Sequence, residues 1–251
     1  MTINLFSNLA SFNKAASSYS AYSNVQDHVF EHLSQQIISN KITLCVDIGC
    51  ATGENTYKLS KNFNSARVIG IDSAVNMIAK AKDNFRYPNL EFQLASYIYI
   101  SKLKHVDCIV SNASMQWFEN LDNFFERLSK FSSNKTQIAL SAFLPGTYHE
   151  LAEAIRNCVN PDFYIPAESF YSETYYSNLV QHHLPHLSLH LHSVSTTFKS
   201  MRDLLKSIQL TGVNSSDHRL SLTKSSIKKL ETYLLNRYGC LRMTFKYLLI
   251  Y

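Results

Sequence analysis

Two carboxylates and two glycines are spaced in this sequence as a nucleoside-binding site would require. A short apolar stretch ends at Asp47 and leads directly into a turn that contains Gly49 and Gly53. Glycine lets the backbone approach a ligand where a Cβ atom would clash, and such a turn directs backbone N–H groups outward. A second apolar stretch ends at Asp72, whose carboxylate can accept hydrogen bonds from both hydroxyls of a ribose. The alternative is an ordinary strand-turn-helix unit with incidental glycines, and the second acid argues against it.

The segments around these residues alternate between strand and helix patterns. Strands are predicted at 44–47, 68–72, 90–94, 106–112 and 137–143, and helices at 25–38, 53–63, 74–85 and 121–131. Short strands that alternate with helices of about a dozen residues are typical of βαβ units and a parallel sheet. Right-handed crossovers then place the carboxyl ends of the strands along one edge. We therefore expect Asp47, Asp72, Ser96 and Asn112 to face one cleft.

The pattern changes after Thr147. A helix is predicted at 149–158, followed by an irregular, aromatic-rich stretch that we expect to lie over the cleft as an insertion. The later segments are predicted as a strand at 187–192, a helix at 199–209 that stops at Gly212, a helix at 224–238 and a strand at 242–251. We predict one α/β domain over 1–251, made of a helical cap at 1–40, a cofactor-binding core at 41–145, the insertion at 146–186 and a C-terminal half at 187–251.

The composition is that of a globular protein, since 45% of the 251 residues are hydrophobic and 17% are charged. No apolar run approaches the ~18 residues of a membrane span. A signal peptide has Lys or Arg before its apolar residues. The N-terminal segment of this chain has neither there. Five cysteines are scattered without paired spacing, which argues against a zinc site and a disulfide framework. We therefore expect a cytoplasmic protein with no metal and no membrane association.

The formal charge of +5 is unevenly distributed along the chain. Residues 195–251 contain 10 Lys and Arg against 3 acidic residues, a net of +7, and the rest of the chain carries a net of −2. A basic region of this kind is either a solvated face or a docking surface for an acidic partner. The sequence leaves both interpretations open.

The segment Asp47-Ile48-Gly49-Cys50-Ala51-Thr52-Gly53 resembles the cofactor loop of the class I S-adenosylmethionine-dependent methyltransferases, Asp/Glu-x-Gly-x-Gly-x-Gly, with Ala51 for the middle glycine. The resemblance implies a Rossmann-like, seven-stranded α/β sheet that is mostly parallel, with its last strand antiparallel. It also implies that Asp72 holds the ribose of S-adenosylmethionine. Where the family usually has an Asp after the third strand, this chain has Ser96. The implied cofactor-binding residues are Asp47, Gly49, Cys50, Gly53, Asp72, Ser73, Met77, Ser96 and Asn112.

A dehydrogenase is the structural alternative, because an acid after the second strand also suits NAD. Its fingerprint, Gly-x-Gly-x-x-Gly, has no preceding acid and spaces its glycines differently from Gly49 and Gly53. The tetrapeptide Asn/Asp-Pro-Pro-Tyr/Phe, which accompanies amino methylation of DNA bases, does not follow the fourth predicted strand. No basic helix or RNA-type aromatic module is apparent either, so we expect no nucleic-acid partner.

Three separated blocks, at 12–19, 111–117 and 203–214, look like those of the malonyl-acyl-carrier-protein O-methyltransferases of biotin synthesis. This narrower resemblance implies methyl transfer to the free carboxylate of malonyl-acyl-carrier protein. The ester masks the charge so that the enzymes of fatty-acid synthesis can extend the chain. A carboxylate with a pKa near ~4 is already ionised at neutral pH, so no base need remove a proton. Methylation of a small free carboxylic acid and a non-catalytic assembly role are the alternatives.

Four residues are candidates for the catalytic and substrate-binding side. Tyr19 is expected to close over the cofactor, with a tyrosine that merely anchors the N-terminal helix as the alternative. Gln116 and Trp117 follow the fourth strand, where acceptors bind in this fold, and are expected to contact the substrate. Arg156 is the expected clamp for the substrate carboxylate, with an ordinary surface arginine as the alternative.

Overall fold

A seven-stranded sheet forms the centre of the described part of the chain. The computed structural model describes residues 6–38, 41–133, 135–210 and 222–251. The strands are β1 (Leu44–Ile48), β2 (Arg67–Asp72), β3 (Leu90–Leu94), β4 (Cys108–Ser111), β5 (Gln137–Phe143), β6 (Leu189–Thr197) and β7 (Arg242–Ile250). Their order in the sheet is β3-β2-β1-β4-β5-β7-β6, with β1 to β5 parallel and β7 antiparallel to both of its neighbours. The predicted fold class is therefore confirmed.

Successive residues of the central strands point to opposite faces of the sheet, and both faces are buried. Cys45 pairs in register with Val68 and with Cys108, and all three belong to one hydrophobic core. Their neighbours Val46 and Ile69 belong to the core on the other face. Because side chains alternate with a period of two, a strand covered by helices on both faces must be apolar along its length. This requirement explains the nearly continuous apolar runs of the sequence.

The helices cover the two faces of the sheet. They are α1 (Phe6–Ala15), α2 (Tyr19–Tyr22), α3 (Asn24–Ser34), α4 (Glu54–Asn62), α5 (Val75–Asn84), α6 (Leu121–Phe131), α7 (His149–Cys158), α8 (Glu173–His183), α9 (Met201–Leu210) and α10 (Lys224–Tyr238). Buried residues of α3, α4, α7, α9 and α10 join the first core, and those of α6 and α8 join the second. α5 packs on β2 and β3 and contacts α1. The N-terminal segment therefore lies beside the connection that follows β2.

The stretch 146–186 is more regular than the sequence predicted. The region expected to be an irregular lid contains α8, which packs against α6. Tyr176 and Leu179 of α8 are buried in the second core. Tyr176, one of the aromatic residues of this stretch, thus lies on the inner face of a helix. The segment just before α8 does reach the cleft, through Phe170, and the division of the chain into four parts stays a prediction.

Several smaller expectations can also be compared with the structure. α10 has the predicted bounds, and β6 extends beyond the predicted 187–192 to Thr197. The predicted helix stop at Gly212 lies outside the described residues. Within the four described ranges, no helix combines the length and apolar character needed to cross a membrane.

Candidate active site

A cavity of about 460 Å³, here called the main cavity, lies at the carboxyl ends of the parallel strands. It is lined by the turn after β1, the end of β2, the segments 95–98 and 112–120, and residues of α1 and α2. The strand order reverses between β1 and β4, and in sheets of this kind a ligand binds in the crevice at that switch point. The predicted cleft is therefore present at the expected edge of the sheet.

Two chambers of about 20 Å³ each adjoin the main cavity and share residues with it. The aromatic chamber is lined by Phe12, Tyr19, Gln26, Ala113, Gln116, Trp117, Phe143, Thr147, Tyr148 and Phe170. The acidic chamber is lined by Tyr19, Ser23, Gln26, Asp27, Asp47, Gly49, Cys50, Ala51, Glu54, Asn55 and Asn112. Tyr19 lines the main cavity and both chambers, so it stands where the three spaces meet.

The turn after β1 needs its glycines for a reason that the sequence did not reveal. Gly49 has φ +76°, and a Cβ atom there would lie 2.5 Å from the Cβ of Ser114. Gly53 has φ +91°, and its Cβ would lie 2.7 Å from the ring of Phe92. Both the left-handed backbone and the close approach of the protein's own side chains therefore exclude larger residues. The predicted close approach of a ligand stays a prediction beside this packing requirement.

Asp72 ends β2 with its carboxylate directed at the same turn. Its Oδ2 accepts a hydrogen bond from the N–H of Ala51 at 3.0 Å, and its Oδ1 accepts one from the N–H of Ala74 at 2.8 Å. Burial raises the pKa of this carboxyl, and these backbone donors oppose the rise. Each carboxylate oxygen can accept a further bond, so Asp72 can bind two hydroxyls in the main cavity while it holds the turn.

Asp47 faces the acidic chamber and is only 2% exposed. Its Oδ2 accepts a hydrogen bond of 2.7 Å from the hydroxyl of Thr56. Burial raises the pKa of Asp47 to about 7, against the effect of that bond and with a smaller contribution from the charge of Asp72. The Oδ1 atom of Asn55, in the same chamber, is buried without a hydrogen-bond partner among the described residues. Carboxylates and an unpaired carbonyl oxygen form an environment that suits an ammonium group.

The loop after β4 is fixed to its neighbours by its own polar side chains. Asn112 accepts a hydrogen bond of 2.8 Å from the hydroxyl of Ser141 and donates one of 2.9 Å to the carbonyl of Gln26. Gln116 donates to the carbonyl of Ala113 at 2.7 Å and accepts from the N–H of Phe143 at 3.3 Å. Both amides are thus occupied by the protein, although both residues line the cavities.

Trp117 forms an aromatic wall between the main cavity and the aromatic chamber. Its ring makes edge-on contacts with Phe12 of α1, at a centroid distance of 5.5 Å, and with Phe170, at 5.0 Å. Such contacts stabilise three segments that are far apart in sequence. The same three rings line the chamber and keep this wall apolar.

α2 carries Tyr19 and is tied to the turn after β1. The hydroxyl of Ser20 donates to Glu54, and the hydroxyl of Thr52 donates to the other carboxylate oxygen of Glu54 at 2.6 Å. Burial, followed by the charge of Asp72, raises the pKa of Tyr19 well above its usual range. Tyr19 therefore stays protonated and can donate a hydrogen bond.

The structure brings most of the predicted residues to these three spaces. The main cavity is lined by Tyr19, Gly49, Asp72, Ser73, Met77, Ser96, Asn112 and Trp117. Asp47 and Cys50 line the acidic chamber, and Gln116 lines the aromatic chamber. Gly53 lines none of the three and is instead the N-cap residue that precedes α4. The roles of these residues stay predictions, whereas their proximity is a finding.

Arg156 lines none of the three spaces and its guanidinium is paired with Glu168, so the structure does not support the predicted carboxylate clamp. Its guanidinium makes two hydrogen bonds to the carboxylate of Glu168, the longer one 2.6 Å, and donates to the carbonyl of Phe163 at 2.9 Å. An arginine held by an acid in this way has its charge matched within the protein. Arg156 fixes the segment that leads to Phe170.

Sequence reasoning missed several residues of the chambers. Asp27 and Asn55 line the acidic chamber, and Gln26 and Tyr148 line the aromatic chamber. Each lies on a helix or at a helix start outside the recognised motifs, so nothing in its local pattern marked it. Within the described ranges, no group of three or more His, Cys, Asp or Glu side chains is placed to hold a metal ion.

Comparisons with known proteins extend this description. A family model described as "Methyltransferase domain" matches residues 45–134. The malonyl-[acyl-carrier protein] O-methyltransferase 2 of Ilyobacter polytropus is 27% identical over 223 residues, which is 88% of this chain and 85% of that protein. The crystal structure of the YcgJ protein of Bacillus subtilis matches with a TM-score of 0.57 at 13% identity, covering 89% of this chain and 97% of that one. The plantazolicin methyltransferase BamL, in complex with a triazolic desmethylPZN analog and SAH, matches with a TM-score of 0.50 at 15% identity over 98% and 97% of the two chains.

Proposed function

We propose that this S-adenosylmethionine-dependent methyltransferase of the class I fold methylates the free carboxylate of malonyl-acyl-carrier protein. The observation that carries this substrate is the length of the match to the Ilyobacter relative. That match covers 88% of the chain, whereas the family model stops at residue 134. Most of the residues that line the aromatic chamber lie outside the family model, so only the longer match bears on the acceptor.

The proposed position of the cofactor follows from the donors and acceptors of the three spaces. Asp72 would accept the ribose hydroxyls, with Ser73, Met77 and Ser96 beside the adenine in the main cavity. The ammonium of the methionine end would enter the acidic chamber, next to Asp47 and the unpaired oxygen of Asn55. In this arrangement the cationic end of the ligand meets acidic groups.

S-adenosylmethionine, when bound, supplies a methyl group on a positively charged sulfur. One oxygen of the acceptor carboxylate bonds to the methyl carbon as the carbon–sulfur bond breaks, so a methyl ester forms and no proton is moved. The protein's task is then to align the two partners and to exclude water. Holding them in line can contribute ~7–11 kcal/mol to lowering the barrier. The wall of Phe12, Trp117 and Phe170 supplies an apolar enclosure for this step.

The aromatic chamber favours an acceptor that is already an anion. Its described lining contains no Asp, Glu or His that could take a proton from an alcohol or an amine. A neutral acceptor of either kind would need such a base, whereas a carboxylate is ionised at neutral pH. A small free carboxylic acid, the alternative acceptor, is also ionised at neutral pH. The choice between it and malonyl-acyl-carrier protein therefore rests on whether the enzyme binds a carrier protein.

A basic face on the C-terminal helices supports a carrier-linked substrate. Lys224, Lys228 and Lys229 of α10 are exposed, as are Arg202 and Lys206 of α9. α9 contacts both α10 and α2, the helix that carries Tyr19, so this basic face continues toward the cavities. Acidic carrier proteins would be attracted to it over about a Debye length. We further propose that the product serves biotin synthesis in the cytoplasm, with the ester masking the charge during chain extension.

The test is mass spectrometry of malonyl-acyl-carrier protein incubated with the enzyme and S-adenosylmethionine. We expect the carrier to gain one methylene unit, located on the malonyl group and removed by mild alkaline hydrolysis. Acetyl-acyl-carrier protein is the matched control, because it has the same carrier and thioester but no free carboxylate. No change in malonyl-acyl-carrier protein, together with methylation of a small free carboxylic acid, would contradict the proposed substrate.

A further inference from the structure

The aromatic chamber contains polar groups that the protein itself does not use. Thr147 is occupied, since its hydroxyl donates to the carbonyl of Lys246 and accepts from the N–H of Lys246, both at 3.1 Å. Gln116 is occupied by backbone groups, as described above. The hydroxyls of Tyr19 and Tyr148, by contrast, make no hydrogen bond to another described residue. These two hydroxyls, together with the side-chain amide of Gln26, are therefore left to bind whatever enters this chamber.

Tyr148 is held in place by an uncommon backbone conformation. Its φ is +62°, in the left-handed region that few non-glycine residues occupy. Its N–H donates to the carbonyl of Thr244 at 2.9 Å, and its ring packs edge-on against Phe245 at a centroid distance of 4.9 Å. The residue is 5% exposed. Strain that the surrounding structure maintains is often found where a side chain must be aimed at a ligand.

We propose that Tyr148 is a substrate-binding residue whose hydroxyl, together with that of Tyr19, donates hydrogen bonds to the carboxylate that receives the methyl group. This assignment rests on the proposed function and deepens it. It also replaces Arg156, whose guanidinium is bound to Glu168. No Lys, Arg or His is among the described residues that line the aromatic chamber.

Neutral donors suit this reaction better than a cation would. The acceptor carboxylate loses its negative charge as its oxygen bonds to the methyl carbon. An arginine would stabilise the charged ground state more than the transition state and so would raise the barrier. Neutral hydroxyl donors also orient the oxygen, but they stabilise the charged ground state less and so raise the barrier less. Burial raises the pKa of Tyr148 well above its usual range, so its hydroxyl stays a donor at every working pH.

The chamber also limits the size of the group that it can hold. Its volume of about 20 Å³ is close to that of one or two water molecules. A terminal carboxyl group is of this scale, whereas the remainder of a thioester must stay in the main cavity. The chamber therefore admits only a small group at the end of a chain, such as a carboxylate.

The experiment compares wild type with Tyr148→Phe, which removes only the hydroxyl, and with Tyr176→Phe as a matched control. Tyr176 is also fully buried, but it lies in the second core, away from the cavities. We expect Tyr148→Phe to lower kcat/KM for malonyl-acyl-carrier protein by ~10- to 100-fold, the scale of one hydrogen bond to a charged group. Its Kd for S-adenosylmethionine should change less than about twofold, and Tyr176→Phe should match wild type in both measurements.

A second readout separates binding from a structural role. The inhibition constant of malonyl-pantetheine is compared with that of the analogue that has a carboxamide in place of the carboxylate. Wild type should prefer the carboxylate, and Tyr148→Phe should lose most of that preference. Equal weakening of both ligands, or unchanged kinetics in an active enzyme, would overturn the assignment alone. Wild type that neither binds nor methylates the malonyl group would overturn the proposed function and the assignment with it.

Discussion

The two sides of this site that we assign to the cofactor and to the acceptor are built in opposite ways. On the cofactor side, the turn after β1, the end of β2 and the loop after β4 supply carboxylates and fixed backbone turns. The acceptor side consists of aromatic rings and neutral hydroxyls taken from α1, α2, the loop after β4 and the segment 143–170. The first set lies within neighbouring βαβ units, and the second comes from three distant parts of the chain.

This contrast follows from the charges of the two ligands that we propose. The cofactor is a cation with a ribose diol, so acids both attract it and bind its hydroxyls. The acceptor is an anion that becomes neutral, so its side of the site gains from neutral donors and a dry wall. Tyr19 belongs to both sides, because it lines the acidic chamber and the aromatic chamber. The five predictions below begin with the cofactor side and end with the approach of the carrier protein that bears the acceptor.

The largest effect is expected at Gly49, where the cofactor side depends on backbone geometry. Gly49→Ala places a Cβ at φ +76° and 2.5 Å from the Cβ of Ser114, whereas Gly239→Ala meets the same strain at φ +74° with nothing within 4 Å. We expect Gly239→Ala to lose ~1–2 kcal/mol of unfolding free energy, and overpacking to bring the loss in Gly49→Ala to ~2–5 kcal/mol. Urea denaturation measures both. Equal losses in the two variants would mean that the contact with Ser114 relaxes freely.

The next effect concerns the ribose on the cofactor side. Asp72→Asn keeps the size of the side chain but removes the charge that we propose accepts the ribose hydroxyls. Binding of S-adenosylmethionine should weaken by ~1.5–3 kcal/mol, the scale of a hydrogen bond to a charged group. Calorimetry gives this value, and KM for malonyl-acyl-carrier protein should be nearly unchanged. A variant that loses acceptor affinity equally would show that the two sides are not independent.

The pH dependence of cofactor binding should reflect Asp47, whose pKa burial raises to about 7. Below that pH the carboxyl is neutral and attracts the cationic ligand less, so affinity should rise toward pH 7 by up to ~10-fold per unit and then level off. In Asp47→Asn, cofactor affinity should rise less steeply with pH. The remaining rise should come from Asp27 and Asp72, whose pKa values are also raised. Calorimetry across the pH series tests this. A slope that persists unchanged in Asp47→Asn would remove Asp47 from the ammonium site.

The stability of the protein without cofactor should change with pH in the opposite direction to its affinity for the cofactor. A carboxyl whose pKa is raised by folding stabilises the fold most at low pH, and this contribution is lost as the pH rises through about 7. Cofactor binding should therefore oppose the decrease in stability above neutral pH. Thermal denaturation of wild type and Asp47→Asn, with and without cofactor, measures both trends.

The smallest effect is expected on the approach of the carrier protein. Reversing Lys228 and Lys229 to Glu should raise KM for malonyl-acyl-carrier protein a few-fold at low salt, with kcat nearly constant, because exposed charges mainly affect encounter. Added salt should abolish the difference. The matched control reverses Lys102 and Lys104, which are also exposed but precede the basic region. Identical salt series for both double variants would leave the basic region as a solvated face.

The sequence determined the sheet and much of the proposed cofactor side, although not Asp27 and Asn55 of the acidic chamber. Strand ends and the connecting turns are local features, so apolar runs that end at Asp47 and Asp72 placed both acids at one edge. The alternation of strands and helices predicted βαβ units, and the resemblance to the methyltransferase family implied the seven-stranded sheet that the structure has. The bounds of α6 and α10 also match their predictions.

Only the tertiary structure decided the acceptor side. Tyr148, Gln26 and Phe170 meet Trp117 because α7, α3 and the segment before α8 pack around one loop, and no local pattern encodes that meeting. Arg156 had the right charge for a clamp, but the partner of a charge depends on which acid the fold brings near, and here it is Glu168. Gly49 was marked by its residue type, yet the reason for it, the side chain of Ser114, lies on another strand's loop. Chemistry carried by contiguous residues is visible in the sequence, whereas chemistry that depends on long-range packing is fixed only when the chain folds.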